Sequence, residues 1–302
     1  MRILLAGATG AIGRPLINCL KEAGHTVFGL ARSPQSARIV VETGAEAVTG
    51  DALNAASVRA AIERVRPQAI INELTSLPRH YTPAEMKAAA ERDRKVRTVG
   101  NVNLLATLHD VGVRRYLLQS TAFWYAPGPG LADESAPFAF DASPGIATGS
   151  GTYAELESLA LHRTDVECVA LRYGFFYGPG TWYTSEGDMG DQVRRQQVPV
   201  IGSGQGVWSF VHIEDAATAT LAALKCAPGA YNVVDSDPTP QRVWLPAFAR
   251  AARASEPPQV TEQQALLTLG PDAVYYAMGL RGASNEKAKR ALNFRPRPLE
   301  WL

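Results

Sequence analysis

A short apolar strand that runs straight into a glycine-spaced helix start constrains this chain more than any other feature. Arg2 to Ala6 is apolar, bounded by glycine and too short for a helix, so it reads as a buried strand. From Ala11 the pattern turns helical, with Ile12, Leu16, Ile17 and Leu20 on one face. Gly7, Gly10 and Gly13 fall where the strand becomes that helix. A dinucleotide needs this arrangement: one glycine for the tight turn, one for close approach of a pyrophosphate, one for helix–strand packing. The phosphates then lie on free N–H groups at the positive end of the helix. Thr9, Gly10, Ala11, Ile12 and Gly13 would form that cradle. The spacing is G-x-x-G-x-x-G and not the G-x-G-x-x-G of the standard fingerprint. A glycine-rich turn without a ligand is the alternative, and the strand–turn–helix context argues against it.

Taken in order, the chain alternates strands and helices. Gly24 to Arg32 reads as a second strand, Ala45 to Asp51 as a third, Ala69 to Asn72 as a fourth and Val113 to Gln119 as a fifth. Helical patterns cover Asn54 to Val65, Ala84 to Val111 and Thr152 to His162. Glu167 to Tyr173 is a sixth strand, and short strands recur at 208–213 and 231–234. This alternation predicts an α/β fold with a doubly wound parallel sheet, the Rossmann architecture. Residues 1–173 and 207–235 would form the dinucleotide-binding domain. Residues 174–206 and 236–302 would form a smaller, mostly helical substrate lobe. Gly128 to Gly151, rich in Pro, Gly, Ser and Ala, reads as a loop and a candidate lid.

The second strand runs out at Ala31-Arg32-Ser33 with no carboxylate for the ribose hydroxyls. A guanidinium suits a 2′-phosphate, and Arg14 is a second candidate. NADP is therefore expected over NAD, which stays possible. Glu73, just past the fourth strand, would lie at the ligand-binding edge of the sheet.

A net charge of +1 gives no reason to expect a nucleic-acid partner or an anionic membrane surface. No apolar stretch is long enough to span a bilayer, and the N-terminus shows no signal-peptide organisation. Cys19, Cys168 and Cys226 are scattered, without metal or redox spacing. They read as reduced thiols of a cytoplasmic protein. His25, His80, His109 and His162 show no metal-ligand pattern, so no metal is expected.

Several segments together carry a family resemblance. Besides the glycine turn they are Gly50-Asp51, Gly100-Asn-Val-Asn-Leu-Leu, Tyr116-Leu-Leu-Gln-Ser-Thr-Ala, Leu171-Arg-Tyr-Gly-Phe-Phe-Tyr-Gly-Pro-Gly180 and Phe210-Val-His-Ile-Glu-Asp215. In this order they resemble the extended short-chain dehydrogenase/reductases of the NAD-dependent epimerase/dehydratase type. The resemblance implies that Asp51 and Ala52 lie beside the adenine. It implies a Ser/Thr hydroxyl, a tyrosine and a lysine four residues later as the reacting set. The hydroxyl falls on Thr121 and the tyrosine on Tyr153, but the lysine position is Glu157. A phenol near its usual pKa of about 10 needs a neighbouring cation. A carboxylate at i+4 shares its helix face and would push its pKa the other way. Three readings stay open. Glu157 is itself an acid/base, a lysine or arginine from elsewhere replaces the cation, or NADP binds without hydride transfer.

A second departure concerns the substrate. Where relatives acting on nucleotide-linked sugars carry an arginine, this chain has Trp208. An indole suits a flat apolar ring, not a diphosphate. Trp124, Tyr125, Phe176, Trp182 and Trp208 are thus expected around a small, apolar, aromatic or alicyclic substrate. His212 and Asp215 read as structural. The resemblance implies a homodimer through the helices at 84–111 and 152–162. The leading expectation is an NADP-dependent oxidoreductase that reduces a carbonyl or activated double bond. The alternatives are an epimerase, isomerase or lyase using Glu157 as base, and a non-catalytic NADP-binding redox sensor.

Overall fold

The computed structural model describes residues 1–302. Its first half is a run of strand–helix units: β1 (Arg2–Ala6), α1 (Gly13–Glu22), β2 (Thr26–Ala31), α2 (Pro34–Glu42), β3 (Glu46–Thr49), α3 (Ala55–Val65), β4 (Ala69–Asn72), α4 (Pro83–Leu105), β5 (Arg115–Thr121), α5 (Pro144–Leu161) and β6 (Glu167–Tyr173). Then follow β7 (Phe175–Tyr177), α6 (Asp188–Arg194), β8 (Val200–Ile201), β9 (Val207–Trp208), β10 (Phe210–His212), α7 (Ile213–Ala223) and β11 (Gly229–Val233). The C-terminal part holds β12 (Thr239–Pro240), α8 (Gln241–Ala251), β13 (Gln259–Val260), α9 (Glu262–Thr268), α10 (Pro271–Met278) and α11 (Glu286–Leu292).

Seven strands form one sheet in the order β11-β6-β5-β4-β1-β2-β3. Every pairing in it is parallel. The order reverses beside β1, which puts the crevice for a ligand outside the carboxyl ends of β1 and β4. The period-2 alternation of β1 divides the interior into two layers. Ile3 and Leu5 face a core closed by Leu16 and Ile17 of α1 and by Ala216 of α7. Leu4 and Ala6 face the opposite core with Ile62 of α3, Leu104 of α4 and Leu156 of α5. A third core belongs to the C-terminal part and is aromatic: Phe175, Tyr177, Tyr183, Trp208, Phe210, Trp244 and Phe248.

Local chemistry explains most boundaries. Ser33 caps α2 in a reciprocal box with Ser36, followed by Pro34. Asn54 caps α3 and Thr82 caps α4. The expected loop over 128–151 is shorter than its composition suggests: α5 already begins at Pro144. Its early glycines are packing surfaces. A Cβ on Gly149 would overlap the Trp124 ring, and one on Gly145 the Asp272 carboxylate of α10. The helix expected to reach Val111 ends at Leu105. The last helix also departs from the expected division. Ala288 and Leu292 of α11, with Phe294, return to the sheet and join its core. Only part of 236–302 therefore packs with the aromatic lobe. No helix is long and apolar enough to cross a membrane.

The turn after β1 tolerates no side chain at its tightest point. A Cβ on Gly13 would stand 2.5 Å from the Ala8 carbonyl oxygen and 2.6 Å from that of Gly7, both fixed backbone. On Gly10 it would meet only Gly7 O, at 3.2 Å. Gly13→Ala is therefore expected to cost roughly 1–3 kcal/mol in urea unfolding, and Gly10→Ala clearly less. Equal losses at both positions would contradict this packing.

Candidate active site

The glycine turn has the form a dinucleotide requires. Gly7 has φ +89° and leaves no room for a side chain against the Glu73 backbone. The Gly10 amide donates to Gly7 O at 2.9 Å, closing the turn. Of the helices that follow β1 to β4, three are capped by a side chain; α1 is not, and its first turn holds no acid. Its leading N–H groups are free for an anion. Thr9 and Gly10 are half-buried and Ala11 exposed, while Ile12 is buried and anchors the helix start. These residues fit a pyrophosphate. Arg14 and Arg32 are both exposed, beside this turn and at the end of β2. Asp51 is exposed beyond β3, its Oδ1 accepting the Leu53 amide at 3.0 Å, with Ala52 buried next to it.

Across the crevice lie the reacting candidates. Thr121 ends β5, is 1% exposed, and its Oγ1 has no protein partner. Tyr153 stands on α5 with its ring 5.8 Å from that of Trp124. Burial raises its pKa; the nearby Arg97 guanidinium lowers it, and Asp93 and Glu73 raise it further. Arg97 of α4 lies over the Tyr153 ring at 5.2 Å from the centroid. Its Nε donates to Asp93 Oδ2 at 2.7 Å and its Nη1 to Gln119 Oε1 at 3.1 Å.

Glu73 is buried beneath the turn. Its Oε1 accepts the Tyr173 hydroxyl at 3.1 Å, and Oε2 has no partner. Burial lifts its pKa to about 8, against the Tyr173 hydrogen bond and the Arg97 charge, which lower it.

Glu157 is not a free carboxylate beside Tyr153. Arg172 of β6 grips it bidentately, Nε to Oε1 at 2.8 Å and Nη2 to Oε2 at 2.6 Å. Ser120 Oγ donates to the same Oε1 at 2.5 Å. Both carboxylate oxygens are thus committed inside the protein. Arg172 also donates to the Tyr125 hydroxyl at 2.9 Å, which in turn donates to Asn232 Oδ1 at 2.5 Å.

The expected aromatic wall separates into several places. Trp124 and Trp182 are half-buried; Trp124 Nε1 donates to the Tyr276 hydroxyl at 3.1 Å. Trp182 stacks on Tyr81 at 4.8 Å. Tyr125, by contrast, is 1% exposed and stacks on Phe138, tied into the Arg172 network. Trp208 lies inside the aromatic core, stacked on Phe175 at 4.3 Å, its Nε1 donating to Tyr276 O. Phe176 packs against Tyr173 beside the sheet core. Tyr125 and Trp208 are spent on packing, because the sheet and lobe leave them no open face, whereas Phe176 stays half-buried. His212 accepts the Glu214 amide at the start of α7, and Asp215 binds Arg297, both structural ties. Arg97 and Arg172 were not singled out by sequence. Arg172 stood within the Leu171–Gly180 motif, and Arg97 was one of several basic residues on a long helix.

Two outcomes follow. Glu73 carries its proton in the fold and loses it in the unfolded chain above about 4.5. Its contribution is full below that pH and falls as pH rises towards about 8. Thermal unfolding of Glu73→Gln should therefore lose less stability than wild type between these limits. Glu157→Ala strands the buried Arg172 charge and should cost about 3–5 kcal/mol in denaturant unfolding. The paired replacement Glu157→Leu with Arg172→Met should recover most of that loss.

Residues 3–233 match the sequence model of the "NAD dependent epimerase/dehydratase family". The chain is 37% identical over 308 aligned residues to a 3-diazoavenalumate denitrifying reductase from a Streptomyces species, covering 100% of this chain and 98% of the relative. It is 25% identical to a 2-alkyl-3-oxoalkanoate reductase of Stenotrophomonas maltophilia, over 80% of this chain and 73% of the relative. Pal from Bacillus thuringiensis shares the fold with a TM-score of 0.77 at 20% identity, over 99% and 95% of the two chains. The UDP-glucose 4-epimerase of Thermus thermophilus, solved with NAD, gives 0.71 at 22% identity, over 98% and 94%. The chain belongs to the NAD dependent epimerase/dehydratase family, as an extended short-chain dehydrogenase/reductase and an enzyme of the NAD(P)-dependent oxidoreductase type.

Proposed function

We propose that this protein is an NADP-dependent reductase of a carbonyl or activated double bond on a small apolar, aromatic or alicyclic substrate. One observation carries the reading: two uncommitted hydroxyls at the carboxyl edge of the sheet. Thr121 Oγ1 is buried without a partner, and no protein hydrogen bond engages the Tyr153 hydroxyl. A substrate oxygen satisfies the first and takes a proton from the second as negative charge develops on it. NADPH, when bound, supplies the hydride. Gly7, Thr9, Gly10, Ala11, Ile12 and Gly13 would hold its pyrophosphate, Asp51 and Ala52 its adenine side, and Glu73 the floor beneath the turn. Arg32, with Arg14, would take the 2′-phosphate; neither guanidinium is engaged in an ion pair, so both charges are available. Trp124 and Trp182 would flank the substrate and exclude water.

The names of the two reductase relatives support reduction over epimerisation. The commitment of Glu157 to Arg172 and Ser120 also argues against its use as a base. The full-length likeness to a reductase of a diazo compound favours a second electrophile, a diazo group on an aromatic or alicyclic acid. We place the enzyme in the cytoplasm as a homodimer through α4 and α5. Exposed Val102 and Leu159 on these helices support that surface, and a monomer in light scattering would refute it.

Calorimetry should show NADPH binding at least about tenfold tighter than NADH, with the preference lost in Arg32→Gln. Turnover on a panel of aryl ketones, enones and aryl diazo compounds should fall about 10²–10⁴-fold in Tyr153→Phe, with NADPH affinity little changed. No NADPH oxidation across that panel would overturn the reading.

A further inference from the structure

The exchange of the family lysine for Glu157 leaves Tyr153 without a cation along its own helix. We infer that Arg97 supplies that charge: it is the positioning residue for Tyr153, its guanidinium held from α4 over the face of the ring. This inference rests on the reading of Tyr153 as proton donor and names what equips it.

The geometry carries the assignment. The Arg97 side chain is 8% exposed and lies 5.2 Å from the Tyr153 ring centroid. Such a desolvated cation interacts strongly with an aromatic face. Its guanidinium plane is fixed at two points, by Asp93 at 2.7 Å and by Gln119 of β5 at 3.1 Å. Asp93 is itself held, its Oδ1 accepting the Ser76 amide at 2.5 Å. The third nitrogen, Nη2, has no protein partner and is free to meet a ligand oxygen. The other ionisable groups around the phenol are Asp93 and Glu73, which oppose Arg97 with smaller effect. Tyr276 of α10 lies behind Trp124, and Glu157 is neutralised by Arg172. Arg97 is therefore the cation that faces Tyr153, with its guanidinium over the ring.

The proton step balances. The phenol O–H bond breaks and the substrate O–H bond forms, while hydride from NADPH adds to the electrophilic carbon. The electron pair stays on the phenol oxygen, where Arg97 compensates its charge until water returns the proton.

The test reads the phenol itself, without substrate or cofactor, so it stands even if the proposed reduction fails. Protein labelled with an ortho-fluorinated tyrosine is titrated by fluorine NMR, the Tyr153 signal being the one missing in Tyr153→Phe. Arg97→Gln should raise the Tyr153 midpoint by about one pH unit or more, tenfold in proton affinity. Arg97→Lys should restore most of the shift. Asp93→Asn, which keeps the guanidinium, should move the midpoint the other way. An unchanged midpoint in Arg97→Gln, with only stability lost, overturns the inference. Should that variant not fold, an upward or absent shift in Asp93→Asn overturns it equally.

Discussion

The structure depends on one close approach, the backbone of the first turn against the end of β4. Gly7 lies on the Glu73 backbone and Gly13 on that of Ala8. This contact draws α1 down over the crevice and aims its uncapped N-terminus along the carboxyl edge of the sheet. Side chains would force the helix outward and separate the anion cradle from Thr121 and Tyr153. The same compression buries Glu73 and leaves one of its oxygens without a partner. A protonated carboxyl under the turn places no negative charge beneath a pyrophosphate.

Charge is organised around α5 in two buried pairs. Glu157 with Arg172 ties the helix to β6, and through Tyr125 and Asn232 to β11. Arg97 with Asp93 ties α4 to β5 and faces the Tyr153 ring. Removing either partner of the Glu157–Arg172 pair would leave one uncompensated buried charge. The Glu157 carboxylate is absorbed by a neighbour that stands in the same core layer. One helix thus carries a buried ion pair at Glu157 and, four residues earlier, the Tyr153 phenol whose ring lies under a second guanidinium.

The sheet was readable because its strands are short apolar runs between glycine and proline punctuation, and because strands alternate with helical patterns. The candidates Asp51, Thr121 and Tyr153 come from the motifs that surround them. The partner of Glu157 was not, since pairing between α5 and β6 is set by tertiary register. Arg97 shares α4 with Arg92, Arg94 and Lys95, and spacing alone does not say which of them faces the crevice. Tyr125 and Trp208 were expected at a substrate because aromatic residues near loops look alike in sequence. Which side of a strand each occupies decides between a cleft wall and a core, and here both went inward. The early start of α5 escaped because glycine and serine resemble a loop, whereas Gly145 and Gly149 are small for the sake of contact.

Those two glycines have a wider consequence. Where α5 is thinnest, Trp124 and the Asp272 carboxylate rest against its backbone, and Tyr276 of the same C-terminal helix holds the Trp124 indole. The lobe meets the helix that bears Tyr153 through the Asp272 carboxylate and through the Trp124 indole, each set directly against its backbone. A side chain at either position would have to push Trp124 or α10 away from the helix that bears Tyr153, so the spacing between lobe and helix is set by the absence of two methyl groups.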